Sequence, residues 1–113
     1  VNNSKLVTAI KVMQRTLEEP MPIAQLAREV PVSERELERL FRKFLSATPA
    51  AFYRDLRLQK SRLLLQQTAR NITSVAMSCG FSSVSHFSRC YQAKYGRSPS
   101  KDREPQDLSL SAS

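Results

Sequence analysis

Hydrogen-bonding side chains occupy one face of a predicted helix in GFSSVSHFSRCYQAKYGRSP, residues 80–99. Residues three and four apart lie together on a helix, so Phe87, Cys90 and Tyr91 form an apolar face that can enter a core. The opposite face carries the polar side chains of Ser85, His86, Arg89 and Gln92. This small, polar and basic face is available to contact a partner.

A second stretch, VSERELERLFRKFLSATP at residues 32–49, has a similar plan. Ser33 predicts a helix N-cap, and Glu36 three residues later completes a capping box. The helix is expected to end between Ser46 and Pro49. Its predicted buried stripe consists of Leu37, Leu40, Phe41 and Phe44.

The charge of the chain is strongly basic and unevenly distributed. Its 113 residues include 18 Lys and Arg against 10 Asp and Glu, for a net charge of +8. From Arg54 to Lys101 there are nine basic residues and one acidic residue. This excess favours a polyanionic partner, either nucleic acid or an anionic membrane. No apolar run approaches the ~20 residues that span a bilayer, and no signal peptide begins the sequence, so no membrane partner is predicted.

Length and composition predict one compact domain inside the cell. A chain of 113 residues with 41% hydrophobic residues suits one compact domain with a modest core. Cys79 and Cys90 fall in apolar helical patterns, which indicates two buried thiols and a reducing cytoplasm. The chain begins with Val1 and not with methionine, so a fragment of something longer is one interpretation.

Apolar spacing predicts helices nearly throughout. One stripe ends before Pro20, and a short helix follows from about residue 23 to the break at Pro31. The apolar residues are Leu6, Ile10, Met13 and Leu17 in the first helix and Ile23, Leu26, Ala27 and Val30 in the second. A longer linker helix is predicted at about 52–68, marked by Phe52, Leu56, Leu63 and Leu64.

The plan of a short helix, a break and a longer helix occurs twice. Ile72, Val75, Ala76 and Cys79 match the apolar residues of the first short helix at an offset of 49. Past the break the offset is 50, because Phe87, Arg89, Tyr91 and Pro99 match Leu37, Arg39, Phe41 and Pro49. An internal duplication, one residue longer in its second copy, is the economical explanation. Each copy predicts a helix-turn-helix, at about 22–46 and 71–96, whose second helix can enter the DNA major groove.

Residues 6–103 resemble the DNA-binding domain of the AraC/XylS family of bacterial transcription regulators. The motifs that match are Gly80-Phe81, Ser82 to Tyr91, Gly96-Arg97-Ser98-Pro99, and the linker pairs Arg57-Leu58 and Leu63-Leu64. The resemblance implies an all-α, seven-helix domain at residues 1–103, with two helix-turn-helix units joined by a linker helix. It implies sequence-specific binding to double-stranded DNA, with both recognition helices in successive major grooves. A linker of ~17 residues at ~1.5 Å each is ~25 Å long, which suits grooves ~34 Å apart.

The resemblance also implies which side chains read bases: Arg35, Glu38 and Arg39 in the first recognition helix, and Ser85, His86 and Arg89 in the second. Arg can bond to guanine O6 and N7, Glu can accept from cytosine N4, and Ser or His can bond to several base edges. For Glu38 the alternative is an ion pair along the helix with Arg42 or Arg35. His86 has no second ligand at zinc spacing, so no metal is predicted.

Phosphate contacts are expected from hydroxyl and basic side chains near the recognition helices. The candidates are Ser33, Arg42, Lys43, Ser82, Ser83 and Lys94. For each basic residue among them, a solvated surface charge is the alternative.

Four positions depart from the family pattern. Pro31 stands in place of glycine in the first turn, Ser46 in place of glycine after the first recognition helix, and Phe52 in place of tyrosine. Asp102 stands where an aromatic residue is usual, which makes a C-terminal helix doubtful. Residues 104–113, EPQDLSLSAS, have no periodicity and are predicted to form a flexible tail.

The sequence holds no sign of an enzyme. It has no Gly-rich phosphate loop, no paired carboxylates in a plausible pocket and no nucleophile beside a base, so neither catalysis nor a cofactor is predicted. A helical protein-interaction domain is the alternative function, and salt-sensitive binding to duplex DNA separates the two. The resemblance implies an effector-sensing domain ahead of this one, with RNA polymerase as a further candidate partner.

Overall fold

The computed structural model describes residues 3–103, which form seven α-helices and no strand. In chain order the helices are α1 Ser4–Arg15, α2 Ile23–Glu29, α3 Glu34–Leu45, α4 Pro49–Gln67, α5 Ile72–Ser78, α6 Val84–Tyr95 and α7 Pro99–Arg103. The predicted all-α, seven-helix fold is confirmed. The predicted tail at 104–113 lies outside the described residues.

The described residues form two compact units, which divide between Arg57 and Leu58. Unit 1 holds α1, α2 and α3, and its buried core is Leu6, Ala9, Val12, Met13, Leu26, Ala27, Val30, Leu37, Leu40, Phe41 and Tyr53. Unit 2 holds α5, α6 and α7, and its buried core is Leu58, Leu65, Val75, Ala76, Cys79, Phe81, Phe87 and Tyr91. Helix α4 supplies residues to both cores, so each helix-turn-helix has its own apolar support.

The turn between the two helices has the same hydrogen bond in both units. The Val32 amide donates to the Ala27 carbonyl at 2.8 Å, and the Phe81 amide donates to the Ala76 carbonyl at 3.0 Å. The two bonds are related by the offset of 49 seen in the sequence. Helices α2 and α5 each have 7 residues, and α3 and α6 each have 12. The repeat of apolar residues is therefore also a repeat of backbone structure.

Serine side chains cap both of the longer helices. Ser33 Oγ accepts from the Glu36 amide at 3.0 Å, and Ser83 Oγ accepts from the His86 amide at 3.1 Å. These caps are related by an offset of 50. The additional residue of the second copy lies just before its cap, at Ser82, where the sequence predicts it.

Both longer helices also end on a left-handed residue. Ser46 has φ 56° and Gly96 has φ 77°, and Ser46 is the only non-glycine residue with positive φ within residues 3–103. Serine carries a modest steric penalty in this conformation, so the departure from glycine leaves the backbone unchanged. In the turns, by contrast, Gly80 has φ 83°, whereas the matched residue Pro31 has a negative φ because its ring fixes that angle.

Several predicted details are wrong at the level of single residues. Phe44 is 40% exposed, because α3 ends one residue later and Leu45 packs against the core instead. Cys79 is buried, whereas Cys90 is only half-buried, and neither thiol forms a disulfide. Helix α4 begins at Pro49 and not at 52, since proline suits a first helical position.

The doubt about a C-terminal helix is also wrong. Helix α7 forms because Ser98 Oγ caps it, accepting from the Lys101 amide at 3.2 Å, and because Asp102 finds polar partners in the interior. The Tyr91 hydroxyl donates to the Asp102 carboxylate. A carboxylate therefore occupies a buried position where an aromatic ring was expected.

Candidate nucleic-acid interface

Helix α3 presents its predicted contact residues to solvent. Leu37, Leu40 and Phe41 are buried on its inner face. The side chains on its outer face are exposed, namely Arg35, Glu38, Arg39, Arg42 and Lys43. The 3.6-residue period of the helix separates the two sets. Burial of the apolar stripe therefore orients α3 with its polar face toward solvent.

The guanidinium of Arg39 is held by a carboxylate on its own helix. Arg39 Nε donates to Glu36 Oε1 and Arg39 NH2 donates to Glu36 Oε2, both at 2.9 Å. The hydrogen bond from Arg39 lowers the pKa of Glu36 and raises the pKa of Arg39. The capping box is therefore realised only in part, because Ser33 caps the Glu36 amide while the Glu36 carboxylate bonds to Arg39.

Glu38 makes one of the two ion pairs that the sequence leaves open. Arg42 NH2 donates to Glu38 Oε2 at 3.3 Å, with both side chains more than half exposed. An exposed pair of this kind adds little stability. The pair does change the local charge of α3, because Glu38 and Arg42 are both candidate DNA contacts and partly neutralise each other.

Helix α6 has the same division into faces without the acidic residues. Phe87 and Tyr91 are buried, while Ser85, His86 and Arg89 are exposed. The His86 ring lies edge-on to the Phe81 ring at 5.8 Å, and its Nε2 is 3.4 Å from Cys90 Sγ. The sequence of α6 contains neither Asp nor Glu, so its basic side chains have no carboxylate on their own helix.

The six candidate phosphate contacts are all exposed: Ser33, Arg42, Lys43, Ser82, Ser83 and Lys94. Ser33 and Ser83 use their oxygens as helix caps, which leaves each hydroxyl hydrogen able to donate. Lys43 Nζ lies 5.3 Å from the centre of the Phe44 ring, and Lys94 Nζ lies 5.4 Å from that of Tyr95. Aromatic rings therefore support both lysines at the C-terminal ends of the two helices.

Side chains around the buried carboxylate of Asp102 connect α6 to neighbouring helices. Arg62 Nε lies 3.1 Å from Asp102 Oδ2, close enough for an ion pair although the geometry is not that of a hydrogen bond. The Arg62 guanidinium also lies 4.4 Å from the centre of the Tyr95 ring. Burial, followed by the hydrogen bond to Asp102, raises the pKa of Tyr91 above its ordinary value. These contacts join α4, α6 and α7 within unit 2.

A family model described as a helix-turn-helix domain matches residues 26–105. The chain belongs to the AraC/XylS family of helix-turn-helix transcriptional regulators. The predicted family and the predicted class of function, a helix-turn-helix transcription regulator, are confirmed by this membership.

Two curated relatives are regulators from Pseudomonas aeruginosa. The chain is 48% identical to the HTH-type transcriptional regulator CdhR over 103 residues. This alignment covers 91% of this chain and 31% of CdhR. It is 45% identical to GbdR over 107 residues, and this alignment covers 95% of this chain and 29% of GbdR. The chain therefore spans about a third of the length of these relatives.

Solved structures of AraC-type domains have the same fold. A transcriptional regulator with an AraC-type DNA-binding domain from Chromobacterium violaceum matches with a TM-score of 0.85 at 41% identity, covering 88% of each chain. The DNA-binding domain of AdpA, solved in complex with a target DNA, matches with a TM-score of 0.84 at 24% identity, covering 89% of this chain and 91% of that chain. The second likeness is one of fold.

Sequence reasoning missed two acidic residues of this family member. Glu36 was assigned to a cap, although its spacing of three from Arg39 also favours an ion pair along the helix. Asp102 was treated as a defect, although its spacing of 11 from Tyr91 has no local signature. Within residues 3–103 no cluster of His, Cys, Asp and Glu could hold a metal ion, and no helix there is long and apolar enough to cross a membrane.

Proposed function

We propose that this chain binds specific sequences of double-stranded DNA, with α3 and α6 each lying in a major groove of one duplex. The observation that carries the proposal is the double occurrence of one helix-turn-helix, each with a buried inner face and an exposed outer face. A helix fits the major groove, where each base pair presents a distinct pattern of donors and acceptors. A repeated unit allows one chain to read two adjacent sites.

The base-reading roles are proposed from the family resemblance, and the chemistry of the exposed side chains supports them. Arg39 and Arg89 are at matched positions and suit a bidentate contact to guanine O6 and N7. Arg35, Glu38, Ser85 and His86 are the other proposed readers. The ion pair between Glu38 and Arg42 favours an indirect role for Glu38, because its carboxylate is already bonded.

Phosphate contacts supply the larger part of the proposed affinity. The proposed phosphate contacts are supported by the basic stretch from Arg54 to Lys101. They are also supported by the exposed side chains of Ser33, Arg42, Lys43, Ser82, Ser83 and Lys94. Neutralising phosphates releases condensed counterions, so affinity is expected to fall linearly on a log–log plot against salt.

Selection of bound duplexes from a random library, followed by a salt titration on the selected site, tests this function. A defined site and a steep negative salt slope are expected. Failure to enrich any sequence, or a flat salt dependence, would refute sequence-specific DNA binding and favour a protein-interaction domain. Binding alone, without turnover of a substrate, is the proposed mode of action.

We further propose the setting in which the domain works. Residues 1–103 are proposed to constitute the DNA-binding domain. The greater length of the curated relatives supports an additional effector-sensing domain in the whole protein. A cytoplasmic location and contact with RNA polymerase are proposed from the function of a transcription regulator, and a pull-down of polymerase by the full-length protein on its DNA site tests the latter.

A further inference from the structure

The paired Glu36 and Arg39 leave one defined edge of the arginine available. A guanidinium has five N–H donors in a planar fork. The carboxylate of Glu36 occupies the Nε donor and one NH2 donor of Arg39. The remaining donors, two on NH1 and one on NH2, lie together at the outer end of the guanidinium. That edge has the spacing needed for a bidentate contact to guanine O6 and N7.

We propose that Glu36 is a positioning residue that determines specificity, by holding Arg39 with its outer edge ready to bond to guanine. This inference rests on the proposed base-reading role of Arg39. Arginine is long and flexible, and a side chain held in its binding geometry loses less freedom on association. Two parallel hydrogen bonds fix the plane of the guanidinium as well as its position.

The negative charge of Glu36 adds to discrimination in a second way. Arg39 without a carboxylate would bond equally well to a nearby phosphate, which carries no sequence information. A neighbouring carboxylate reduces the net attraction of this part of α3 for the backbone. The hydrogen bond from Arg39 lowers the pKa of Glu36, so the carboxylate stays ionised at neutral pH. Glu36 is thus expected to weaken non-specific affinity while sharpening base selection.

The other ion pair on α3 provides a contrast in geometry. Arg42 and Glu38 are joined by one bond of 3.3 Å, which does not fix the plane of the guanidinium. Both pairs have side chains about half exposed. Replacing either glutamate by glutamine removes the same charge from the same helix. Glu38 is itself a proposed reader, so the control is Glu34→Gln, which removes one negative charge at another exposed position of α3.

In unit 2 the position matched to Glu36 is His86, at the offset of 50. His86 lies near Cys90 and Phe81, and α6 has no acidic residue to hold Arg89. The proposed device therefore belongs to unit 1 alone, and Arg89 is expected to select its base without it.

The test measures the dissociation constant of the chain for its selected site and for every single-base variant of that site. We compare Glu36→Gln, Glu34→Gln, Arg39→Ala and the double variant Glu36→Gln/Arg39→Ala. Discrimination is the ratio of two dissociation constants from one protein sample, so a change in folded fraction cancels.

Arg39→Ala is expected to reduce discrimination at one base pair by about 5- to 150-fold, the range for losing one good bidentate contact. Glu36→Gln is expected to reduce discrimination at that same base pair by about three- to tenfold, since part of the contact survives without its support. Glu34→Gln should leave discrimination at that base pair within about twofold while tightening non-specific binding. Adding Glu36→Gln to Arg39→Ala should have no further effect on discrimination.

The outcomes separate this inference from the function on which it rests. If Arg39→Ala reduces discrimination but Glu36→Gln behaves like Glu34→Gln, the inference is wrong and the reading role of Arg39 stands. If Arg39→Ala changes discrimination nowhere, the reading role and the inference are both wrong. An effect of Glu36→Gln that persists in the Arg39→Ala background would also overturn it, because Glu36 would then act without Arg39.

Discussion

Phe41 of unit 1 and Tyr91 of unit 2 occupy matched positions on the buried faces of α3 and α6, yet they make different kinds of contact. Phe41 packs edge-on against the Phe52 ring, with ring centres 5.5 Å apart. Tyr91 donates its hydroxyl to Asp102, the residue matched to Phe52 at the same offset of 50. An aromatic pair in one copy is thus a hydroxyl and a carboxylate in the other.

The residues after Phe52 and Asp102, namely Tyr53 and Arg103, also make matched contacts of different chemistry. Tyr53 donates its hydroxyl to the Thr16 carbonyl at 3.3 Å, and Arg103 donates its Nε to the Leu65 carbonyl at 3.1 Å. Tyr53 and Arg103 are 50 residues apart, and the two carbonyls are 49 apart. The repeat therefore extends beyond the helix-turn-helix itself to the helix before it and the helix after it. It preserves which positions touch while the chemistry of the contact changes.

The two units also treat their outer faces differently. On α3, Glu36 and Glu38 pair with Arg39 and Arg42. On α6 the basic residues have no carboxylate on the same helix. Helix α3 has three acidic and four basic residues, whereas α6 has two basic residues and no acidic one, so equal contributions to DNA affinity are not expected.

Truncation of the matched core residues should give the largest effects. Leu37→Ala is expected to lower the free energy of unfolding by about 2–5 kcal/mol and Phe87→Ala by about 3–5 kcal/mol, because each leaves a cavity in a buried core. Urea unfolding followed by circular dichroism measures both. Arg89→Ala, at an exposed position, should stay within about 0.5 kcal/mol of the parent. Full stability of either core variant would show that its unit is not closely packed.

Removing the Asp102 charge should affect unit 2 next most strongly. Asp102→Asn is expected to lower the free energy of unfolding by about 1–3 kcal/mol, because the Tyr91 hydroxyl loses a charged acceptor and Arg62 its ion pair. Arg62 is 42% exposed, so water can solvate its guanidinium and limits the loss.

A second variant tests whether unit 2 can adopt the chemistry of unit 1. The double change Tyr91→Phe/Asp102→Phe recreates the aromatic pair of unit 1, and apolar replacement of buried polar groups is often neutral or stabilising. Its unfolding free energy should exceed that of Asp102→Asn. A double variant less stable than Asp102→Asn would mean that the matched positions are not interchangeable.

Loss of either matched arginine should relax base selection in a different part of the site. Arg89→Ala is expected to reduce discrimination by about 1–3 kcal/mol at one base pair, and Arg39→Ala at another about one helical turn away. A binding panel of single-base variants measures both. Lys94→Ala is the control, since a lost phosphate contact should weaken all sequences alike and lower the salt slope by about one. Equal weakening of every variant by Arg89→Ala would indicate a backbone contact.

The smallest expected difference between the units is in alkaline pH dependence. The pKa of Tyr91 is raised in the folded protein, so its protonated form contributes stability that is complete below the unfolded tyrosine pKa of about 10. That stability should be lost as pH rises above about 10. The matched residue Phe41 has no titrating group, so its position in unit 1 contributes no such pH dependence. Thermal melts from pH 8 to about 11 should show a steeper decline for the parent than for Tyr91→Phe; parallel declines would exclude this role of Tyr91.

Much of the helical layout was predictable because it depends on local patterns. The apolar stripes, the serine caps and the change of offset from 49 to 50 are all visible in the sequence, and each corresponds to a helix, a cap or an inserted residue. Phe44 was mispredicted because periodicity continues through a helix end, whereas packing does not. The base and phosphate contacts were inferred from a resemblance and remain predictions, although every residue concerned is exposed.

What the sequence alone determined was the plan: two amphipathic helix pairs, a long connecting helix and a basic surface, all of which follow from residue spacing and charge. The tertiary structure decided which polar side chains bond to each other. The Glu36 carboxylate can bond either to the Ser33 amide or to Arg39, and its side-chain rotamer decides which bond forms. Whether Asp102 weakens α7 or anchors it depends on Tyr91 and Arg62, which lie 11 and 40 residues away and meet it only when α4, α6 and α7 pack together.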